Sequence, residues 1–148
     1  MNTALIDHIE QYYSENFGNT ESIVVPNRLD ELKELSLRQL QFTMHDEMVR
    51  RVRKLLTMKQ FRNERIKALT EKYFHSNIVS IYTTIFRGMA EKNLIQMDDP
   101  ECLALEYIAP VSMLLQIYDR EPDRESEIQQ KIQEHIHYFI SVFGEKMK

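Results

Sequence analysis

Apolar residues recur along this chain at three- and four-residue intervals, and those intervals predict helices through most of its length. Leu5, Ile6, Ile9, Tyr12, Tyr13 and Phe17 predict a first helix over 3–17, closed by Gly18. A loop follows to Asn27, with Gly18-Asn19-Thr20 and Pro26; its Ile23-Val24-Val25 is too short to indicate a sheet. Asn27 is placed to cap a second helix that turns Leu29, Leu32, Leu35, Leu40 and Met44 inward, with Asp30 and Glu31 in its first turn. A break is expected at His45-Asp46-Glu47, then a short amphipathic helix through Met48, Val49, Val52, Leu55 and Leu56. The longest segment starts near Asn63 and reaches about Asn93, striped by Ile66, Leu69, Tyr73, Phe74, Ile78, Ile81, Ile85 and Met89. Within it His75-Ser76-Asn77 predicts a kink or a polar patch.

The last part, 98–144, is a helical hairpin turning at Tyr118-Asp119-Arg120-Glu121-Pro122. Asp98-Asp99-Pro100-Glu101 puts carboxylates and a proline at a helix start, and Gly144 is a natural C-cap. Leu103, Tyr107, Val111, Leu114 and Tyr118 fall on one face of the first hairpin helix, and Leu105, Ile108, Ser112 and Leu115 on another. A helix apolar on two faces is buried on two sides. Pro110 removes one backbone hydrogen bond from it. The second hairpin helix carries a wide stripe of Ile128, Ile132, His135, Ile136, Phe139, Ile140 and Phe143. Two such hairpins meeting across a two-fold axis make a four-helix bundle, so a homodimer is expected.

Composition agrees with an all-α reading: three glycines and four prolines among 148 residues leave few turns, and 43% hydrophobic residues are enough for a core. One cysteine, Cys102, excludes an intramolecular disulfide. No apolar run is long enough to span a membrane, and a cytoplasmic protein is expected. The net charge of −4 is unlike that of a free-standing nucleic-acid binder. Charge is uneven, however: eight Lys/Arg and one acid lie between Arg50 and Lys67, and six acids and three bases between Asp119 and Glu134. The basic block reads as a solvated helix face, or as a surface near phosphates or another anion.

Catalytic signatures are missing: there is no Gly-rich phosphate loop, G-x-S-x-G, H-E-x-x-H or C-x-x-C. No catalytic set, metal site or cofactor is expected. Glu71 and His75, four apart on one helix, read as a surface pair worth about 0.3–0.5 kcal/mol sooner than as metal ligands. His135 shares an apolar stripe and reads as a packed interface histidine.

Four pieces, in order, resemble the sensor domain of TetR-family (tetracycline-repressor-like) transcriptional regulators over about 28–144. Leu55-Leu56-Thr57-Met58-Lys59-Gln60-Phe61-Arg62-Asn63 resembles the family's link from its short sixth helix to its long seventh. Ile85-Phe86-Arg87-Gly88-Met89-Ala90-Glu91-Lys92-Asn93-Leu94-Ile95 is similar to the end of that long helix. Asp98-Asp99-Pro100-Glu101-Cys102-Leu103-Ala104-Leu105 is similar to the start of the eighth, and Leu114-Leu115-Gln116-Ile117-Tyr118-Asp119-Arg120-Glu121-Pro122 to its link to the ninth.

The resemblance implies an all-α, TetR-like C-terminal bundle forming one effector-binding and dimerisation domain over 1–148. In it 3–17 is the connecting helix, 27–93 the sensor helices and 98–144 the dimerisation hairpin. The family's helix-turn-helix unit, roughly 45–50 residues, would precede this chain, so operator DNA is expected as a partner only through that missing unit. An apolar or amphipathic small molecule is the expected effector. Its lining residues would be Met44, Met48, Phe61, Phe74, Ile78, Tyr82, Tyr107, Val111 and Leu114, with His45 and His75 as polar candidates. The expected dimer interface is Leu105, Ile108, Ser112, Leu115, Ile128, Ile132, His135, Ile136, Phe139 and Phe143. The same Met and aromatic stripes also read as plain core; the alternative function is then a helical, dimeric protein-interaction module with a solid interior.

Overall fold

A computed structural model describes residues 3–17, 23–96 and 99–145. The helices are α1 (Thr3–Phe17), α2 (Leu29–His45), α3 (Glu47–Lys59), α4 (Glu64–Glu71), α5 (Asn77–Glu91), α6 (Pro100–Arg120) and α7 (Glu125–Phe143). A π-turn, Lys72–Ser76, joins α4 to α5, so the long predicted helix is one run with a widened turn where the polar patch stands. Among the described residues there are no strands beyond one isolated bridge, Ile95 to Gly144.

Side chains set most of the breaks. Asp46 ends α2, donating its N–H to the Phe42 carbonyl, and caps α3 by accepting from the Val49 N–H at 3.0 Å. Asn63 caps α4 through the Arg65 and Ile66 N–H groups at 3.0 and 3.1 Å. Asp99 caps α6 at Glu101 and Cys102, with Pro100 at the first helical position; Asp98 lies outside the described residues, as does Gly18. Pro110 is accommodated within an unbroken α6.

One predicted cap is corrected. Arg28, in extended backbone, is the N-cap of α2 and its side chain makes no capping bond. Asn27 instead donates its own N–H to the Glu31 carboxylate at 2.8 Å. Gly144 is the C-cap of α7 as expected, donating its N–H to the Ile140 carbonyl at 2.8 Å, with φ −69°, outside the left-handed region. Crowding favours glycine there, because a Cβ would stand 2.5 Å from the Ile140 carbonyl oxygen and 2.9 Å from Leu29 Cδ1.

All the buried apolar side chains among the described residues except Val49 fall into two clusters. The larger joins α2, α5, α6 and α7 through Leu32, Leu40, Met44, Phe86, Met89, Leu103, Tyr107, Ile132 and Phe139, among others. The smaller joins α1, α3, α4 and the π-turn through Ile6, Ile9, Tyr13, Val52, Leu56, Ile66, Leu69 and Tyr73. Segment 23–28 lies over α5: Gly88 is pressed so closely by Val25 that a Cβ there would be 2.7 Å from Val25 Cγ2. Lys92 fixes the same segment by donating to Asn27 Oδ1 at 2.7 Å.

Candidate functional site

The expected effector-lining residues are divided among three places. Met44, Tyr82, Tyr107 and Leu114 are buried in the larger core, and Ile78 and Val111 pack against it half-buried. Phe61, 89% exposed, half-buried Phe74 and exposed His75 stand instead on an open groove of about 480 Å³, with Gln60, Glu64, Lys67, Thr70 and Glu71. His45 and Met48 are exposed at the α2–α3 corner.

The interior place is the more distinctive chemically. Tyr107 is surrounded by rings: Phe139 at 4.7 Å between centroids, Tyr82 at 5.2 Å and Phe86 at 5.3 Å. Into this aromatic group α2 sends one hydroxyl. Ser36, 7% exposed, is the single buried polar residue among those described, and its Oγ lies 2.5 Å from Tyr107 Oη. Beside it the Tyr82 hydroxyl donates to Gln39 Oε1 at 2.7 Å. Burial pushes both phenols above their usual range, against the lowering effect of the Ser36 hydrogen bond. The Ser36 and Tyr107 hydroxyls thus meet inside an apolar core, with the buried Tyr82 beside them bonded outward to exposed Gln39; Ser36 and Gln39 are residues the stripe pattern did not select. Ser36 was legible: Leu32, Ser36, Leu40 and Met44 step by four along one face, so a serine there faces inward.

The outer groove lies on the π-turn. Glu71 accepts from Ser76 Oγ at 2.9 Å and is 2.7 Å from His75 Nδ1, and these hydrogen bonds hold its carboxyl below the usual range. Among the described residues no group of three or more His, Cys, Asp or Glu is placed to hold a metal ion.

A third polar group joins the two ends of the bundle. Arg53 on α3 makes two 2.7 Å hydrogen bonds to the Asp119 carboxylate near the end of α6, and a third to the Thr43 carbonyl at 2.8 Å. The Arg50 guanidinium lies 5.1 Å over the Tyr118 ring. The Tyr118 hydroxyl donates to the Met44 carbonyl at 3.1 Å, and His45 Nε2 meets Glu125 Oε1 at 2.6 Å. Half of the basic block read from the sequence is therefore engaged: Arg50 lies over Tyr118, Arg51 pairs with Glu47, Arg53 with Asp119, and Arg65 with Asp7 and Glu10.

The expected interface set also divides. Ile128, Ile132, Ile136 and Phe139 are at most 2% exposed within the chain's own core, so they have no surface to offer a second copy. The α7 stripe was wide enough to suggest an interface, but α2, α5 and α6 of the same chain cover it. Phe143 is half-buried against the same core, and His135 hydrogen-bonds the Tyr107 carbonyl at 2.9 Å. The second face of α6 stays open: Leu105 is 43% exposed, while Ile108, Ser112 and Leu115 are half-buried. On α7, Tyr138 and Val142 are exposed.

No protein-family model and no curated protein matches this sequence. A solved structure does: a candidate TetR-family transcriptional regulator from Mesorhizobium loti MAFF303099 is similar over 96% of this chain and 71% of its own, with a TM-score of 0.63 and 17% identity. The chain has the fold of a TetR-family regulator. At that identity the likeness is one of fold. Within this TetR-type bundle the doubly apolar α6 and the striped α7 form the expected C-terminal hairpin. Among the described residues no helix is long and apolar enough to cross a membrane.

Proposed function

We propose that this chain is one domain that senses a small molecule, homodimerises, and controls DNA binding by a helix-turn-helix unit outside it. The TetR-type fold, matched over nearly the whole chain, carries this reading. The effector is apolar or amphipathic and enters between α2, α5 and α6. Its polar end takes over the hydrogen bonds of Ser36, Gln39, Tyr82 and Tyr107, and its apolar part displaces aromatic packing around Tyr107. The ligand acts through its different affinity for two arrangements of the helices, one of which shifts α3 and with it α1. The second copy seats on the open α6 face at Leu105, Ile108, Ser112 and Leu115, with His135, Tyr138 and Val142 of α7.

The close ring packing around Tyr107 favours a second reading, a dimeric helical interaction module with a solid core. Native mass spectrometry of the purified chain separates the two. A species of twice the chain mass with an added few hundred daltons supports the sensor. A dimer without added mass that also fails to bind any member of an amphipathic small-molecule library in calorimetry supports the module. A monomer at micromolar concentration removes the dimerisation role from both.

A further inference from the structure

The two apolar clusters share no side chain, and the elements that build them are interleaved along the sequence. α1, α3 and α4 form one body; α2, α5, α6 and α7 form the other. Among the described residues the chain passes between the bodies at two places, Asp46 and the π-turn Lys72–Ser76. Both are suited to bending. Asp46 is a single extended residue between two helices. A π-turn has wider, i to i+5 hydrogen bonding and is a usual place for a long helix to change direction. Here its first half, Tyr73 and Phe74, still packs with one cluster, and α5 beyond it carries Ile78, Val79 and Ile81 against the other.

A fork of charge spans the gap. Arg53 stands beside Val52 on α3, in the first body. Its guanidinium engages Asp119 on α6 and the Thr43 carbonyl on α2, both in the second, and both charged side chains are largely buried. A buried two-pronged pair is strong in one geometry and costly when a partner is withdrawn without water. It therefore favours a closed arrangement and an open one in which both ions are hydrated, over any partial separation.

We infer that α1, α3 and α4 turn as a unit about Asp46 and the π-turn, and that the Arg53–Asp119 pair is the clasp that holds this unit closed. Its use in signalling rests on the sensor reading above. Its existence does not, because it is tested on the chain without ligand, so failure of the clasp and failure to find an effector are separate outcomes.

Native-state hydrogen exchange on the full chain, in increasing sub-denaturing urea, is the test. Buried amides of α1, α3 and α4 are expected to share one opening with a smaller urea slope than those of α6 and α7. Arg53→Met removes a contact that neither the opened nor the unfolded chain retains, so it is expected to speed exchange in α1, α3 and α4 by roughly 100-fold, and exchange of α6 and α7 through global unfolding by the same factor. Arg53→Lys keeps the charge and loses the fork, so a roughly tenfold effect on the same amides is expected, which keeps the test open should Arg53→Met not fold. A single urea slope shared by all helices overturns the hinge. Acceleration confined to α6 and α7, which would mean that the pair survives the opening of α1, α3 and α4, or no acceleration at all, overturns the clasp.

Discussion

Ser36 and Tyr107 place their hydroxyls 2.5 Å apart, the one on α2 and the other on α6, in a core otherwise filled by aliphatic and aromatic side chains. Each hydroxyl is the other's main compensation for leaving water. Ser36→Ala alone should therefore cost about 1–3 kcal/mol, because it strands the Tyr107 hydroxyl, and Tyr107→Phe should cost a similar amount by stranding Ser36. The double variant removes both and should lose much less than the sum of the two single losses. Urea denaturation of the four proteins gives the coupling energy; a value near zero would show that the two groups find other partners.

Gly88 and Val25 make a similar argument about space. A Cβ on residue 88 would stand 2.7 and 2.8 Å from the two Val25 methyl carbons, so Gly88→Ala must push segment 23–26 off α5. The expected loss is about 1–3 kcal/mol, despite the better helix propensity of alanine. Val25→Ala in the same chain should recover most of it. Thermal unfolding of the single and double variants checks this. A stabilised Gly88→Ala would mean that the segment shifts at no cost and propensity wins.

How far the fold was legible depends on what each residue has for neighbours. Breaks set by one side chain were readable: Asp46, Asn63 and Asp99 all cap where spacing puts a short oxygen-bearing side chain before an apolar run. Stripes gave each helix its buried face, but a stripe does not say what covers it. Ile132 and Leu105 look alike in sequence, yet the first is enclosed by its own chain and the second is not. The candidate site suffers from the same gap. Phe61 and Tyr107 are both aromatic residues at helical spacing, and only the turn after Lys59, which swings Phe61 outward, sets them apart. Helix pairing over long separations, such as Arg53 with Asp119, leaves no mark in local periodicity at all.

Acid should act most plainly at the start of α7. Arg124 and Lys131 both hold Glu127, and their hydrogen bonds bring its carboxyl down to about 2 from the usual 4.5. A carboxyl depressed by folding contributes stability that is complete above the unfolded value, here 4.5, and is lost as pH falls through the folded value near 2. The site is exposed, so the effect is screened and strongest at low salt. Glu127→Gln should lose less melting temperature than wild type over that acid range, what remains of the fall coming from other carboxyls that folding depresses, such as Glu71. Melting curves from neutral pH to pH 2 at low salt test the point; parallel curves for the two proteins would remove Glu127 from the acid response.

Leu105 and Ile132 separate the dimer surface from the core. Both belonged to the interface expected from the sequence, but Leu105 is 43% exposed and Ile132 only 1%. Leu105→Glu adds a charge to an already accessible position, so the monomer's fold should tolerate it to within about 0.5 kcal/mol. A dimer seated on this α6 face must desolvate that charge without a partner, and its dissociation constant should rise at least about 100-fold. Ile132→Ala removes buried methyl groups from the interior and should cost about 2–5 kcal/mol of unfolding free energy. Its effect on association, measured while the protein remains folded, should be small. Sedimentation equilibrium gives the first quantity and urea unfolding the second. Weakened association with Ile132→Ala at full folded content, and none with Leu105→Glu, would move the interface off the α6 face and onto the α7 stripe.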